Sequence, residues 1–290
     1  MKWIKKPKPR IEEEKISISR GVFSIFLSTL FISGSAFMGW LYYLHMKELR
    51  FHDEQYNIVA IVQDTPHNDS VKSVLLAEIL QLSLDRPTNL YQFNTKEAVQ
   101  KLLECPAIKR AVVKKILPGT LYIQYEMRTP IAYVGNFSNT FVDEEGYLFP
   151  SQPFYSAKRL PVFYLALSET ETWGSSIAHK SSFQLARQVQ QMGTKVMNDT
   201  YCIEQLDVLQ CSADSYGKRQ IILLVDEYRH GMEGQYKVPL YVRLNVDDYP
   251  QGLAHLHTII SSLPCIKDRQ KEMVIDLRIP QLAFLNDGAT

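Results

Sequence analysis

Ser215-Tyr216-Gly217-Lys218 has the S-x-x-K spacing of penicillin-recognising enzymes. That chemistry sets the serine at a helix start, with the lysine one turn further along the same face. Here the tetrapeptide sits in a Ser/Asp/Gly-rich stretch between two strand patterns and no K-T-G follows, so it reads as a hairpin turn. His255 and His257 are two residues apart, share no helical face and do not converge on one metal ion. Asp143, Glu144 and Glu145 form an acidic turn without a second carboxylate cluster to make an acid/base pair. Asp247-Asp248 reads as an acidic pair favoured at a helix N-terminus. No G-x-G-x-x-G, Walker A or G-x-S-x-G motif occurs. The expectation is therefore a chain without catalytic residues, metal or cofactor. Lys109, Arg110, Lys114 and Lys115 make one strand pattern basic, either as a solvated edge that resists aggregation or as a contact for phosphate or an acidic partner. Asn68, Asn136 and Asn198 open N-x-S/T sequons, which matter only in a glycosylating host.

The elements that would position these residues begin with a membrane span. Residues 22–44 carry no charge, and as a helix they extend about 34 Å, enough for a hydrocarbon core of about 30 Å. Ser24, Ser28, Thr29, Ser33 and Ser35 can bond back to the helix, and Trp40, Tyr42 and Tyr43 suit an interface. The run is too long for a cleaved signal peptide and no A-x-A-like site follows. Lys2, Lys5, Lys6, Lys8, Arg10, Lys15 and Arg20 precede it, against Lys47 and Arg50 just after, which places the N-terminus in the cytoplasm and the rest outside. A net charge of +1 gives no global field for nucleic acid. Cys105, Cys202, Cys211 and Cys265 form no C-x-x-C pair; an exported domain permits disulfides, but buried free thiols are the expectation for most.

Residues 1–21 read as a cytoplasmic tail, 22–44 as the span and 45–53 as a polar juxtamembrane linker. A strand at 56–63 is followed by a turn cluster, then by Ser70 as a candidate N-cap. Val71, Val74, Leu75, Ile79 and Leu82 fall on one helical face. Asn94 with Glu97 resembles a capping box for a second helix carrying Ala98, Val99, Leu102 and Leu103, which Pro106 ends. Strands at 108–117 and 121–127 flank Pro118-Gly119, where a type II-like turn fits. Leu121, Ile123, Tyr125 and Met127 alternate with polar residues, giving one buried face. The order is β-α-α-β-β over 54–128. Residues 129–286 read as a mostly antiparallel β domain. Its strands are expected near 131–135, 140–142, 147–149, 161–165, 201–209, 220–226, 240–244 and 272–279, and its helices at 177–192 and 249–263. Residues 287–290 read as a frayed tail. The class is α+β.

The stretch from Asn89 to Phe149 resembles the FtsQ/DivIB family of bacterial cell-division proteins. Its residues are Asn89-Leu90-Tyr91, Pro106, Ile108, Ala111, Val113, Leu117-Pro118, Thr120-Leu121 and Ile123. Glu126, Arg128, Pro130 and Ala132 then match "E-x-R-x-P-x-A", and Val142-Asp143, Gly146 and Phe149 match "vD-x-x-G-x-x-f". Ile275-Asp276-Leu277-Arg278 looks like the closing "vDLR" strand. With the span, the resemblance covers nearly the whole chain; it departs at Tyr164 and Asn245, where the family often has glycine, and over residues 210–240. It implies a POTRA domain over about 54–128 and a non-enzymatic, single-pass scaffold of the division septum in the cell membrane. It also implies partners of the FtsB/DivIC and FtsL type, taken at the edge of the last strand. The residues carried over are Arg278, Ile279, Leu282 and Phe284, with Arg278 able to meet a carboxylate and the apolar three able instead to pack the sheet end. A secretion or outer-membrane POTRA protein and a membrane-anchored wall enzyme are the alternatives.

Overall fold

A computed structural model describes residues 18–66, 70–83, 85–168, 170–197, 201–231, 234–262 and 272–287. Helix α1 (Ile18–His52) projects from the rest of the protein, and none of its most apolar window is buried. Its hydroxyls are satisfied internally: Ser28 and Thr29 donate to the Ile25 carbonyl, Ser33 to Leu30 and Ser35 to Ile32. These four hydroxyls then need no water. The linker expected at 45–53 is helical as far as His52. A short 3-10 turn (Glu54–Tyr56) follows, capped by the Asp53 carboxylate.

A three-stranded sheet in the order β1-β3-β2 comes next, built from β1 (Ala60–Asp64), β2 (Ile108–Ile116) and β3 (Thr120–Met127). Helices α2 (Ser73–Ile79) and α3 (Thr95–Glu104) connect β1 to β2, so the observed order is β-α-α-β-β as expected. The buried face of β3 is Leu121, Ile123, Tyr125 and Met127. Of the predicted α2 stripe, Val71 is buried and Leu75, Ile79 and Leu82 pack partly buried against the core, while Val74 points outward and Leu76 and Leu80 are buried in its place. The cap differs too, since the helix starts after Lys72 rather than at Ser70. The buried Tyr125 hydroxyl decides this, accepting the Val71 N–H at 2.8 Å and donating to Gln63 at 2.8 Å, which pins the extended residues before the helix. In α3 the Asn94 carboxamide caps Lys96 and Glu97, whereas the Glu97 carboxylate turns to Lys101 at 3.3 Å instead of closing a box. The expected type II-like turn is replaced by a tip with a cis Leu117–Pro118 bond, and Gly119 does not take a left-handed φ. Glycine is needed there for another reason: a Cβ would strike the Asn57 carbonyl oxygen.

The large sheet has nine strands in the order β12-β11-β10-β9-β8-β7-β4-β5-β6. They are β4 (Pro130–Val134), β5 (Thr140–Asp143), β6 (Leu148–Pro150), β7 (Val162–Tyr164), β8 (Tyr201–Asp207), β9 (Ile221–Gly231), β10 (Gly234–Leu244), β11 (Met273–Leu277) and β12 (Phe284–Asp287). Adjacent pairs are mostly antiparallel. Where helix α4 (Ser181–Val196) links β7 to β8, and α5 (Tyr249–Ser262) links β10 to β11, the pairing is parallel, as a crossover requires. Phe183, Ala186 and Val189 of α4 and Leu253, Leu256 and Ile260 of α5 pack on the inward residues of the central strands. At the other end, β5 and β6 are buried on both faces. Val142 and Leu148 join the α4 side, while Phe141 and Phe149 join the core of the small sheet. Rings of Tyr133, Phe141, Phe149 and Tyr155 lie 4.5–5.9 Å apart between the two sheets.

Strand β12 lies beyond the predicted elements. It is four residues long and too short to show a period of two; pairing with β11 creates it, Ile275 opposite Leu285 and Asp276 opposite Phe284.

Candidate functional site

The residues singled out for chemistry are dispersed. Ser215 accepts the Lys218 N–H at 2.9 Å through its carbonyl in a turn between β8 and β9, which makes the tetrapeptide a hairpin connection. His255 and His257 are both exposed on α5, and no group of three or more potential ligands gathers among the described residues. Cys105, Cys202 and Cys211 are unbridged, and burial pushes the Cys105 and Cys202 thiols up; Cys265, Asn68 and Asn198 lie outside the described residues. Asn136 is locked in place, exchanging hydrogen bonds with the Leu165 backbone.

The motif residues around 126–149 meet at the junction of the two sheets. Arg128 donates to the Asp143 carboxylate at 2.7 Å and to the Pro106 carbonyl at 3.1 Å. Its guanidinium carbon lies 3.9 Å from the centre of the Tyr147 ring. Asp143 also accepts the Tyr147 N–H at 2.8 Å, and the Tyr155 hydroxyl donates to the Arg128 carbonyl at 2.7 Å. The ion pair is nearly dry, with side-chain exposures of 13% and 7%. Gly146 turns the chain at φ +80°, where a Cβ would meet the Ala178 backbone. Lys109, at the start of the basic strand, donates to Glu145 and holds that carboxylate below its usual range. The acidic turn is thus the receiving half of a joint between the two sheets. Lys114 and Lys115 remain exposed.

A third cluster ties the small sheet to α1. The Asn89 carboxamide donates to the Arg50 and Asp53 carbonyls at 3.0 and 3.1 Å, and Gln92 to the Phe51 carbonyl at 2.9 Å. Tyr91 packs against Phe51 and Tyr56.

The remaining candidates lie at the far end of the large sheet. Arg278 does not reach outward as a free charge. Its Nε and Nη2 close on Asp276 at 3.0 and 2.7 Å, and its carbonyl accepts Asn245 at 3.3 Å. Burial works against the Asp276 charge, but the Arg278 guanidinium outweighs it and holds the carboxyl below the usual range. Ile279, Leu282 and Phe284 are exposed by 52%, 54% and 55%. Leu285 was not singled out from the sequence. It occupies the same sheet face as the fully buried Ile275, yet it is 40% exposed, because among the described strands β12 has a neighbour on one side only. Among the described residues no strand lies along the outer edge of β12, beside an incompletely covered apolar row.

Residues 69–125 match the family model described as POTRA domain, FtsQ-type. The chain carries an FtsQ-type POTRA domain. This agrees, over that segment, with the FtsQ/DivIB resemblance. The matched POTRA segment takes in α2, α3, β2 and most of β3. The junction at Arg128 lies just past it, and the β12 edge lies far outside it. No curated protein matches this chain.

Proposed function

We propose that this protein is a single-pass scaffold of the division septum, with its N-terminus in the cytoplasm. It captures bitopic partners of the FtsB/DivIC and FtsL type by adding a partner strand to the outer edge of β12, and so coordinates septal wall synthesis. The span is supported by α1, whose length and apolar surface suit a bilayer, and by the lysines and arginines that precede it. The capture site is carried by one observation: Leu285 lies on the core face of the sheet but keeps 40% of its surface open at an unpaired edge. An incoming strand would complete the backbone ladder and cover Leu285, with Ile279, Leu282 and Phe284 around it. Because Arg278 is already paired with Asp276, apolar burial and main-chain hydrogen bonds dominate capture.

The test is co-purification of the full-length chain with a coiled-coil partner of this type. Covering the remaining 40% of Leu285 is worth about 1 kcal/mol, and a carboxylate forced into the same place adds at least about 1 kcal/mol of desolvation, so Leu285→Asp should reduce recovery at least about tenfold. Leu103→Asp, on the exposed surface of α3, should leave it unchanged. Equal recovery with the Leu285 variant, its circular dichroism intact, would remove β12 as the site. In cells a fluorescent fusion should gather at mid-cell, and uniform envelope fluorescence would count against the septal role.

A further inference from the structure

The end of the POTRA sheet nearest α1 carries an apolar tip that its own core does not use. Val59 is 78% exposed, Leu117 61% and Ile116 46%. Val59 and the β2–β3 hairpin tip are neighbours, since the Val59 N–H donates to the Gly119 carbonyl at 2.9 Å. Gly119 in turn abuts the Asn57 carbonyl. Asn57 is bonded to Glu54 and bridged to Asn89, and Asn89 grips the last turn of α1. The hairpin tip is therefore fastened to the helix end, not hung on a free linker. From Leu44 to His52 the helix rises about 12 Å, against a headgroup layer about 5–8 Å deep, and a tilted helix lowers that height. The helix end to which the tip is fastened then stands within about a side chain's length of the headgroup layer. Residues 45–59 bring Lys47 and Arg50 but also Glu48, Asp53 and Glu54, so Lys114 and Lys115 of the hairpin supply the positive excess.

We propose that residues 116–118 with Val59 rest in the headgroup layer of the bilayer that α1 crosses, Lys114 and Lys115 facing anionic lipid. The contact rests on the reading of α1 as a membrane span. It adds a second point of attachment, which sets the height and tilt at which the rest of the protein is presented to its partners. Apolar side chains beside lysines are the combination that an anionic interface retains.

The test uses the full chain in phosphatidylglycerol-containing vesicles, with a photoreactive phenylalanine analogue placed singly at positions 38, 117, 112 and 209. Position 38 lies in the apolar part of α1; 112 lies further up β2, and 209 follows β8, both exposed. Lipid adducts read by mass spectrometry are expected at 38 and 117 and should be about tenfold weaker at 112 and 209, outside the interfacial zone. Adducts at 38 without adducts at 117 overturn the docking and leave the span intact. Absence at 38 overturns the span itself, and the docking with it. Each lysine at an anionic surface is worth about fivefold in bound fraction, so Lys114→Gln with Lys115→Gln should lower the yield at 117 several-fold. An unchanged yield, or equal yields in phosphatidylcholine vesicles, overturns the anionic contact.

Discussion

Replacing Arg128 by alanine should be the most damaging single change at the domain junction. The guanidinium fills four roles at once: an ion pair to Asp143 at 2.7 Å, a second weaker one to Glu145 at 3.6 Å, a hydrogen bond to the Pro106 carbonyl and a face contact on Tyr147. Both members of the main pair are largely out of water, so removing one leaves the Asp143 charge buried with, among the described residues, the Tyr147 N–H as its remaining hydrogen-bond donor. Breaking such a pair costs about 3–5 kcal/mol, against about 0–1 kcal/mol for a surface pair. With a urea dependence near about 3 kcal/mol per molar, the unfolding midpoint should fall by about 1–2 M. The assay is urea unfolding of the full-length chain in detergent, followed by far-ultraviolet circular dichroism. Asp143→Ala alone should also destabilise, while Arg128→Ala with Asp143→Ala should cost less than the sum, because the stranded charge is gone. A loss below about 1 kcal/mol for Arg128→Ala, with additive behaviour in the double variant, would show that the joint is wet and the reasoning wrong.

Gly146→Ala should destabilise by about 1–3 kcal/mol, read as a lower unfolding midpoint, since the residue holds φ +80° against the Ala178 backbone. The Glu204 carboxylate is partly buried, which opposes its charge, but Lys237, Tyr228 and Asp226 outweigh this and hold it below its usual range. Its contribution is therefore full above the free value of about 4.3 and is lost as pH falls through the lower folded value. Lys237 is 44% exposed, so the pair is screened and Glu204→Gln should lower Tm by only about 1–3 °C at pH 7, a gap that closes in acid. A gap that widened in acid would contradict the sign. Protease added to intact spheroplasts should digest the chain beyond α1; protection of that portion would reverse the orientation.

Much of the architecture was legible in sequence because it rests on local rules. The uncharged run at 22–44, the strict alternation of β3 and the Asn94 cap each involve residues within a turn or a strand of one another. Misreadings arose where a distant group decided the outcome. Val74 fits the helical stripe of its neighbours yet points outward while Leu76 is buried; the Tyr125 hydroxyl, arriving from 54 positions along the chain, fixes Val71 in the extended stretch before the helix. Strand β12 has no intrinsic signal and exists through its ladder with β11. The ordered motif from Glu126 to Phe149 could be matched letter by letter, yet nothing in its spacing shows that Arg128 and Asp143 form the dry hinge pin between two sheets.

The sequence by itself determined that the protein has an apolar helix long enough for a membrane, a POTRA-type β-α-α-β-β unit and a second β-rich region, because hydrophobic period and turn chemistry are properties of neighbours. Only the tertiary structure decided which edges stay open and which charges are spent. Arg278 looks available in the sequence and is neutralised by Asp276 in the fold; Leu285 looks unremarkable and becomes the half-covered end of a sheet. An edge is defined by the strand that is absent beside it, and that is a fact of long-range assembly that no local pattern encodes.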